Sequence, residues 1–317
     1  MTGTDVELAA RYLEQGQIVG IPTETVYGLA GNALNEDAVL SIFKIKNRPF
    51  FDPLIIHVDS LESAKKYVLE FPSKAMKLAK QFWPGPLTLL LHKNDKIPFL
   101  VTSGSEKVAV RVPDNPFTLA LLKHVDFPLA APSANPFGYI SPTSAEHVEK
   151  QLGKSIPYIL DGGPCQVGLE STIVDCTLES PVILRLGGLP VSAIESALKE
   201  KLLVRISANS NPDSPGQLDK HYAPNTLFVL SENLNKTIVK HKGRKIAVLN
   251  FGQNKIESQV FELNLSETGS LDEAAHNLFD YMRRLDNGKF DIIIAKKLPE
   301  EGLGLAINDR LRRASVR

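Results

Sequence analysis

Ile21-Pro-Thr-Glu-Thr25-Val-Tyr-Gly28-Leu-Ala30 is followed by Lys44-Ile-Lys46-Asn-Arg48-Pro49 and then by Pro53-Leu-Ile-Ile-His57. In the first piece, small hydroxyl residues beside a glycine leave backbone groups room to meet a small polar ligand. The second places two cations at a helix end, an anion-facing arrangement, and the third puts a histidine inside an apolar strand. A segment that only builds core needs no such combination, so the stretch reads as a substrate site. Gln17–Ile21 leads into it as a strand. Asn35 caps a helix with Val39, Ile42 and Phe43 facing inward. Pro49 disfavours helical geometry at Arg48, where the helix should end. Lys46 and Arg48 therefore need not diverge as i and i+2 do on a helix, and both can converge on one anion.

Upstream, Thr4-Asp-Val-Glu7 has the pattern of a capping box for a helix faced by Leu8, Ala9, Tyr12 and Leu13 and stopped by Gly16. Downstream, Leu54–Val58 is a short strand with Ile55 and His57 on one face. Helical patterns follow near 61–70 and 73–82, then a turn at Trp83-Pro-Gly-Pro86 and a strand at Leu87–His92. Lys107–Val112 alternates, its valines to one side and Lys107, Ala109 and Arg111 to the other. A helix near 116–124, a strand Pro128–Ala131 and a loop Pro132–Pro136 come next, and Ser144 starts a helix. Strands Pro157–Leu160, Ser171–Cys176 and Val182–Leu186 and a helix at about 191–202 complete this part. Residues 206–225 are polar and broken by Pro212, Pro215, Gly216 and Pro224, the punctuation of a linker. Beyond it, strands Leu227–Leu230, Lys245–Asn250 and Asp291–Ala295 alternate with helices near 271–285 and 303–314. That alternation is the mark of a compact α/β domain. The expected division is a first α/β domain over 1–205, a linker or lid over 206–225 and a second α/β domain over 226–317.

With 317 residues, 43% of them hydrophobic, the chain has material for two separate cores. Residues 1–225 carry a net −3 and residues 226–317 a net +3, neither of them the footprint of a protein that neutralises nucleic-acid phosphates. A small anion in a local basic pocket remains open. Cys165 and Cys176 are the whole cysteine complement, so there is no CxxC knuckle or disulfide framework, and no metal ligands are assigned. The amino terminus lacks the character of a leader and no apolar run is long enough to span a bilayer, so a cytoplasmic protein with no membrane partner is expected. P-loop, G-x-G-x-x-G, H-E-x-x-H and G-x-S-x-G patterns are missing.

Each candidate group has a bland and a functional use. Lys46 and Arg48 read locally as a solvated helix end favoured by the macrodipole, or as phosphate ligands. Arg111 and Arg185 lie in apolar strands and need solvent, a carboxylate or a bound anion. His57 is a satisfied core histidine or an imidazole offered to a carboxylate. Ser133 and Asn135, between two prolines, cap a turn or bind a ligand at a strand end. Ser141 opens a helix start that also offers donors to phosphate, and Ser171 is the polar group of the Gly168–Thr172 turn. His221-Tyr222-Ala-Pro224 packs on a surface or closes over a site. The residues alone support an α/β enzyme for a small polar, anionic substrate and do not name the reaction.

Taken in order, these motifs resemble the threonylcarbamoyl-AMP synthases in their long form. The matching pieces are Pro22-Thr-Glu-Thr-Val-Tyr-Gly28, Lys46-x-Arg48-Pro49, Pro53-Leu-Ile-Ile-His57, Pro84-Gly-Pro-Leu-Thr88 and Val108-Ala-Val-Arg111. They continue with Ala131-Pro-Ser-Ala-Asn135, Ser141-Pro-Thr143, Asp161-Gly-Gly163, Glu170-Ser-Thr172, Ile183-Leu-Arg185, Ser214-Pro-Gly216 and His221-Tyr-Ala-Pro224. Asn47 stands where the family often has Gly, and Leu186-Gly187 where Pro-Gly is common. The resemblance implies a YrdC-like twisted open mixed sheet with helices, followed by a smaller Rossmann-like α/β domain. It implies synthesis of threonylcarbamoyl-AMP and pyrophosphate from L-threonine, bicarbonate and ATP with Mg2+, for tRNA threonylcarbamoyladenosine. Thr25, His57, Arg111 and Ser171 would hold threonine. Lys46, Arg48, Ser133, Asn135, Ser141 and Arg185 would hold ATP, Lys46 and Arg48 acting in catalysis, with His221 and Tyr222 closing the site. A downstream threonylcarbamoyl transferase complex and a weak tRNA contact are the implied partners. Two other classes compete: an RNA-binding module, opposed by the neutral charge, and a carbamoyl-transferring hydrogenase-maturation enzyme, opposed by the missing acylphosphatase-like and zinc-finger segments.

Overall fold

Short apolar strands separated by capped helices leave the chain few ways to bury both, and a computed structural model describing residues 1–206 and 221–316 shows two sheets. The first part runs β1 (Thr2–Gly3), α1 (Val6–Glu14), β2 (Val19–Ile21), β3 (Gly28–Asn32), α2 (Glu36–Lys46), β4 (Ile55–His57) and α3 (Leu61–Lys65). It continues with α4 (Ser73–Phe82), β5 (Leu87–His92), α5 (Phe99–Thr102), β6 (Lys107–Arg111), α6 (Pro116–His124) and β7 (Leu129–Ala130). Then come α7 (Ala145–Leu152), β8 (Tyr158–Leu160), β9 (Thr172–Asp175), β10 (Val182–Arg185), α8 (Val191–Leu198) and β11 (Leu203–Val204). The second part holds β12 (Leu227–Ser231), α9 (Leu234–Lys240), β13 (Ile246–Asn250) and β14 (Phe261–Asn264), then α10 (Leu271–Leu285), β15 (Ile292–Lys296) and α11 (Gly304–Ala314).

The larger sheet is mixed, in the order β1-β8-β2-β3-β7-β4-β6-β5-β9-β10-β11. The smaller, β12-β15-β13-β14, is parallel throughout. This is the expected pair: an open mixed sheet with helices, then a smaller parallel α/β unit. One apolar cluster joins the two, passing from Val110 and Leu169 through Leu186 and Tyr222 to Leu278 and Phe279 of α10. The second unit is thus packed on the first as core is packed on core.

Several elements differ from the sequence reading, most often because a distant partner overrides local pattern. The first helix is capped by Asp5, which accepts from the Leu8 amide, and not by a Thr4–Glu7 box; the Tyr158 hydroxyl holds the Asp5 amide. Helix α2 ends at Lys46, two residues before Arg48, because Asn47 takes the left-handed conformation at φ 51°. Glycine or asparagine suits that position, which explains why Asn47 is tolerated there. Helix α3 stops at Lys65, since Val68 and Leu69 pair with the end of β5. Helix α8 stops at Leu198, and Leu203–Val204 leaves it to pair with β10. Strand β3 reads poorly from Gly28-Leu-Ala-Gly-Asn32, yet it pairs with β2 and β7. Its glycine is a fit to neighbours: a Cβ on Gly31 would lie 2.7 Å from Ile18. Strands β1 and β14 and helices α5 and α9 were not legible either, being short or exposed. Ser214-Pro215-Gly216 and most of the expected linker, residues 207–220, lie outside the described residues.

Gly187 is the tightest joint near the site. A Cβ there would meet the Glu170 carbonyl oxygen at 2.3 Å and Thr172 nitrogen at 2.5 Å, both backbone atoms that cannot swing away. Gly243 has φ 93° but open space around it. Gly187→Ala should therefore cost about 3 kcal/mol and Gly243→Ala about 1 kcal/mol. Urea unfolding of the two variants checks the order, and equal losses would contradict the close approach.

Candidate active site

The site forms where strands end. His57, Arg111 and Arg185 are the last residues of β4, β6 and β10, and Ser171 immediately precedes the antiparallel β9. Parallel register places His57 opposite Arg111. On the same face of the sheet, Ile55, Leu90, Ala109, Ile173, Val182 and Leu184 make a small apolar floor. Strand alternation thus carries polar ends to one edge above a dry base.

Arg111 is only 3% exposed. Its guanidinium donates to the Thr25 hydroxyl at 2.9 Å and the Gly85 carbonyl at 3.2 Å, and pairs with Glu24 at 2.6 Å. Thr25 is fixed in turn by Thr23, whose hydroxyl oxygen accepts the amides of Thr25 and Val26. The Ser171 hydroxyl shares a 2.7 Å hydrogen bond with Thr88 and accepts from Arg185 at 3.0 Å. Arg185 also donates to the Ser171 carbonyl. Burial lowers the Arg185 pKa to about 10, partly offset by Tyr222 and Glu170, so the group stays cationic at neutral pH.

Lys46 and Arg48 do not share one partner. Lys46, buried, donates to the carbonyls of Ser133 and Asn135, while Arg48 pairs with Asp52 at 2.9 Å and donates to the carbonyls of Asp52 and Pro53. Burial, and then the charge of Arg48, holds Lys46 well below the usual lysine range. Of the twelve candidates, Thr25, Arg48, His57, Arg111, Ser133, Ser171, Arg185, His221 and Tyr222 line one cavity. Three do not line it. Lys46 braces the 133–135 loop, Asn135 donates to the carbonyls of Pro136 and Tyr139, and Ser141 donates to Glu170 at 2.6 Å. The His221 ring stands edge-on to Tyr222 at 4.1 Å and to Phe137 at 6.0 Å.

Sequence reasoning missed the carboxylates. Glu24, Asp52 and Glu170 pair with Arg111, Arg48 and Arg310, and Glu24 and Glu170 sit inside quoted motifs. The signal was available, because a buried arginine demands an anion. Arg310 was missed too, although Ile307, Arg310, Leu311 and Ala314 recur at inward helical spacing. Among the described residues no group of three or more His, Cys, Asp or Glu is placed to hold a metal ion.

Two histidines are held neutral. Burial, then the charge of Arg111, pushes the His57 pKa down to about 3. Burial and a ring of cations led by Arg48 hold His221 well below the usual range. Both lowered values mean that, as pH falls through about 6.5, the unfolded chain takes up protons that the folded chain refuses. Stability should therefore fall with acidification across the window between about 6.5 and 3, by about 3 kcal/mol at pH 4 from His57 alone. Denaturant titrations at pH 7 and pH 4 test this, and His57→Asn should flatten the dependence; an unchanged slope would mean that His57 protonates in the folded chain.

The family described as Telomere recombination matches residues 11–187, and that described as Threonylcarbamoyl-AMP synthase, C-terminal domain, matches residues 189–316. The chain is 41% identical to the threonylcarbamoyl-AMP synthase of Pyrococcus abyssi, over 98% of this chain and 94% of that one. It is 39% identical to the Bacillus subtilis threonylcarbamoyl-AMP synthase, over 97% of this chain and 92% of that one. The crystal structure of P. abyssi Sua5 complexed with L-threonine superposes with a TM-score of 0.92 at 38% identity, covering 99% of this chain and 97% of that one. With both halves matched in order and nearly the whole length aligned, the chain belongs to the threonylcarbamoyl-AMP synthase family.

Proposed function

We propose that the cavity condenses L-threonine, bicarbonate and ATP into threonylcarbamoyl-AMP and pyrophosphate, the adenylate used for tRNA threonylcarbamoyladenosine. The observation that carries this reading is the meeting of Arg48, Arg111 and Arg185 with the hydroxyls of Thr25, Ser133 and Ser171 in one cavity. Such a lining suits an amino-acid carboxylate beside a chain of phosphates. Arg111, with Thr25, His57 and Ser171, would take threonine. Arg48, Ser133 and Arg185 would take ATP, with His221 and Tyr222 over it and Lys46, Asn135 and Ser141 fixing the loops around it. Bicarbonate loses water to give carbon dioxide, which threonine's amine captures as a carbamate, and the amine's released proton balances the one taken up in that dehydration. A carbamate oxygen then bonds to the α-phosphorus as the bond to the bridging oxygen breaks and pyrophosphate leaves. No protein nucleophile is needed, and orientation and positive charge do the catalysis.

Glu24, Asp52 and Glu170 are each committed to an arginine. These three carboxylates therefore do not fit a resident metal cage, and Mg2+ would come with the substrate as the MgATP complex. No helix among the described residues is long and apolar enough to cross a membrane. The proposal places the protein in the cytoplasm, handing its adenylate to a threonylcarbamoyl transferase complex, with a weak tRNA contact. We assign the catalytic domain to residues 1–205, the linker to 206–225 and the C-terminal domain to 226–317.

Pyrophosphate release measured with threonine and bicarbonate, added singly and together, tests the reaction. Release should require both, and ATP cleavage with neither would refute the scheme. Arg111→Lys should raise the KM for threonine on the order of tenfold or more, because one ammonium cannot replace a fork held on Glu24, Thr25 and Gly85. Its KM for ATP should barely move. Lys46→Ala should slow turnover at least about tenfold through the loosened 133–135 loop, and normal turnover would remove Lys46 from the mechanism.

A further inference from the structure

Glu170 stands on the cavity wall at 6% exposure, in the same motif as Ser171. One of its carboxylate oxygens accepts the Ser141 hydroxyl at 2.6 Å. The other is gripped by Arg310, whose Nε and Nη2 donate to it at 3.2 and 3.1 Å. Arg310 comes from α11, far along the chain, and is fully buried. Its remaining nitrogen donates to the Leu186 carbonyl at 2.6 Å and reaches the Asp309 carboxylate at 3.4 Å, and its guanidinium lies 5.3 Å from the centre of the Tyr222 ring. One cation from the second unit thus touches the Glu170–Ser171 turn, the Arg185–Gly187 turn and the base of Tyr222.

Helix α10 of the same unit holds the neighbouring loop. Arg283 donates to the carbonyls of Ile140 and Ser141, and the Tyr139 hydroxyl donates to Asp286 at 2.7 Å. Gly168 lies so close to α10 that a Cβ would come within 2.5 Å of the Ala275 carbonyl oxygen. Both loops that carry Ser141 and Glu170 therefore rest on the C-terminal unit.

We propose that Arg310 is a positioning residue for the nucleotide half of the cavity, which makes the C-terminal domain a working part of the site. Two consequences follow from the charge balance. Arg310 cancels a carboxylate that would otherwise face the phosphates of ATP, and it turns that carboxylate so that Ser141 is held. Without the cation, Glu170 would be a buried anion beside an anionic substrate, a pairing that electrostatics penalises heavily.

The proposal rests on the ATP-binding reading, and its test keeps the two separable. Steady-state pyrophosphate release is measured for the full-length wild type, Arg310→Met, Arg310→Lys and the double variant Arg310→Met/Glu170→Gln, with thermal unfolding alongside. Arg310→Met should lower kcat/KM for ATP on the order of a hundredfold, chiefly through KM, while the KM for threonine changes less than about threefold. The double variant should recover about tenfold over Arg310→Met, because the uncompensated anion is gone. If Arg310→Met does not fold, Arg310→Lys, which keeps a cation without the fork, should show the same split in milder form. Equal losses toward both substrates with no recovery in the double variant would reduce Arg310 to a structural contact and overturn the proposal, as would wild-type kinetics in Arg310→Met. A wild type that releases no pyrophosphate under any combination would refute the function, not the pairing.

Discussion

Burying arginines around one cavity is tolerable only if each finds acceptors for its charge, and that requirement organises this molecule. Arg48 meets Asp52, Arg111 meets Glu24 and Arg310 meets Glu170, all nearly inaccessible to solvent. Removing a charge from water costs several kcal/mol, which the partner and surrounding carbonyls must offset. The Arg111 and Arg310 pairs tie together segments that local structure leaves apart, while Arg48 and Asp52 close a tight local turn. Arg111 on β6 fixes the Thr23–Val26 turn, Arg48 fixes the segment after α2, and Arg310 fixes the turn before β9. Cavity shape is thereby set by ionic pairing, over a sheet whose own core is apolar.

The second unit follows from the same constraint. Its parallel sheet has its own apolar cluster around Val248, Ile292 and Ile294, yet the face of α10 and α11 toward the first unit is rich in arginine. Arg313 pairs with Asp309 at 3.0 Å and donates to the Ile206 carbonyl, so α11 also anchors the chain just where the described part of the first unit ends. Tyr222 then stacks on Phe279 at 5.5 Å and sits beside Arg310, in the left-handed conformation at φ 60°. A tyrosine in that conformation is strained, and burial between two elements of the second unit is what holds it.

Much of this was legible in sequence. Alternation gave Lys107–Val112 as a strand with Arg111 opposite the valines, and the period of two put Ile55 and His57 together. Start signals placed helices α2 and α7, because Asn35 and Ser144 can cap whatever surrounds them. What failed depended on contacts distant in sequence. Thr4 lost its cap to Asp5 because Tyr158 arrives from β8, and α3 frayed because β5 offered Val68 a partner. At the site, reading cations and hydroxyls as ligands found the lining but overlooked the acids. An isolated Glu in a polar motif looks like surface until the arginine that needs it is placed. Lys46 is the converse case: its charge could be read as a solvated helix end or a phosphate ligand, and in the folded chain its ammonium donates to two carbonyls.

The neutral histidines show how the cavity reconciles cationic walls with a folded chain. His57 lies against Arg111, and His221 against Arg48, Lys46, Arg310 and Arg185. Another proton at either imidazole would add like charge to a poorly hydrated space, so both stay neutral and keep a lone pair available. The donors on the cavity wall are therefore set in place by chain geometry. A site that must meet a triphosphate and a carboxylate together gains from donors already oriented before either arrives, and the desolvation they cost is borne by the fold.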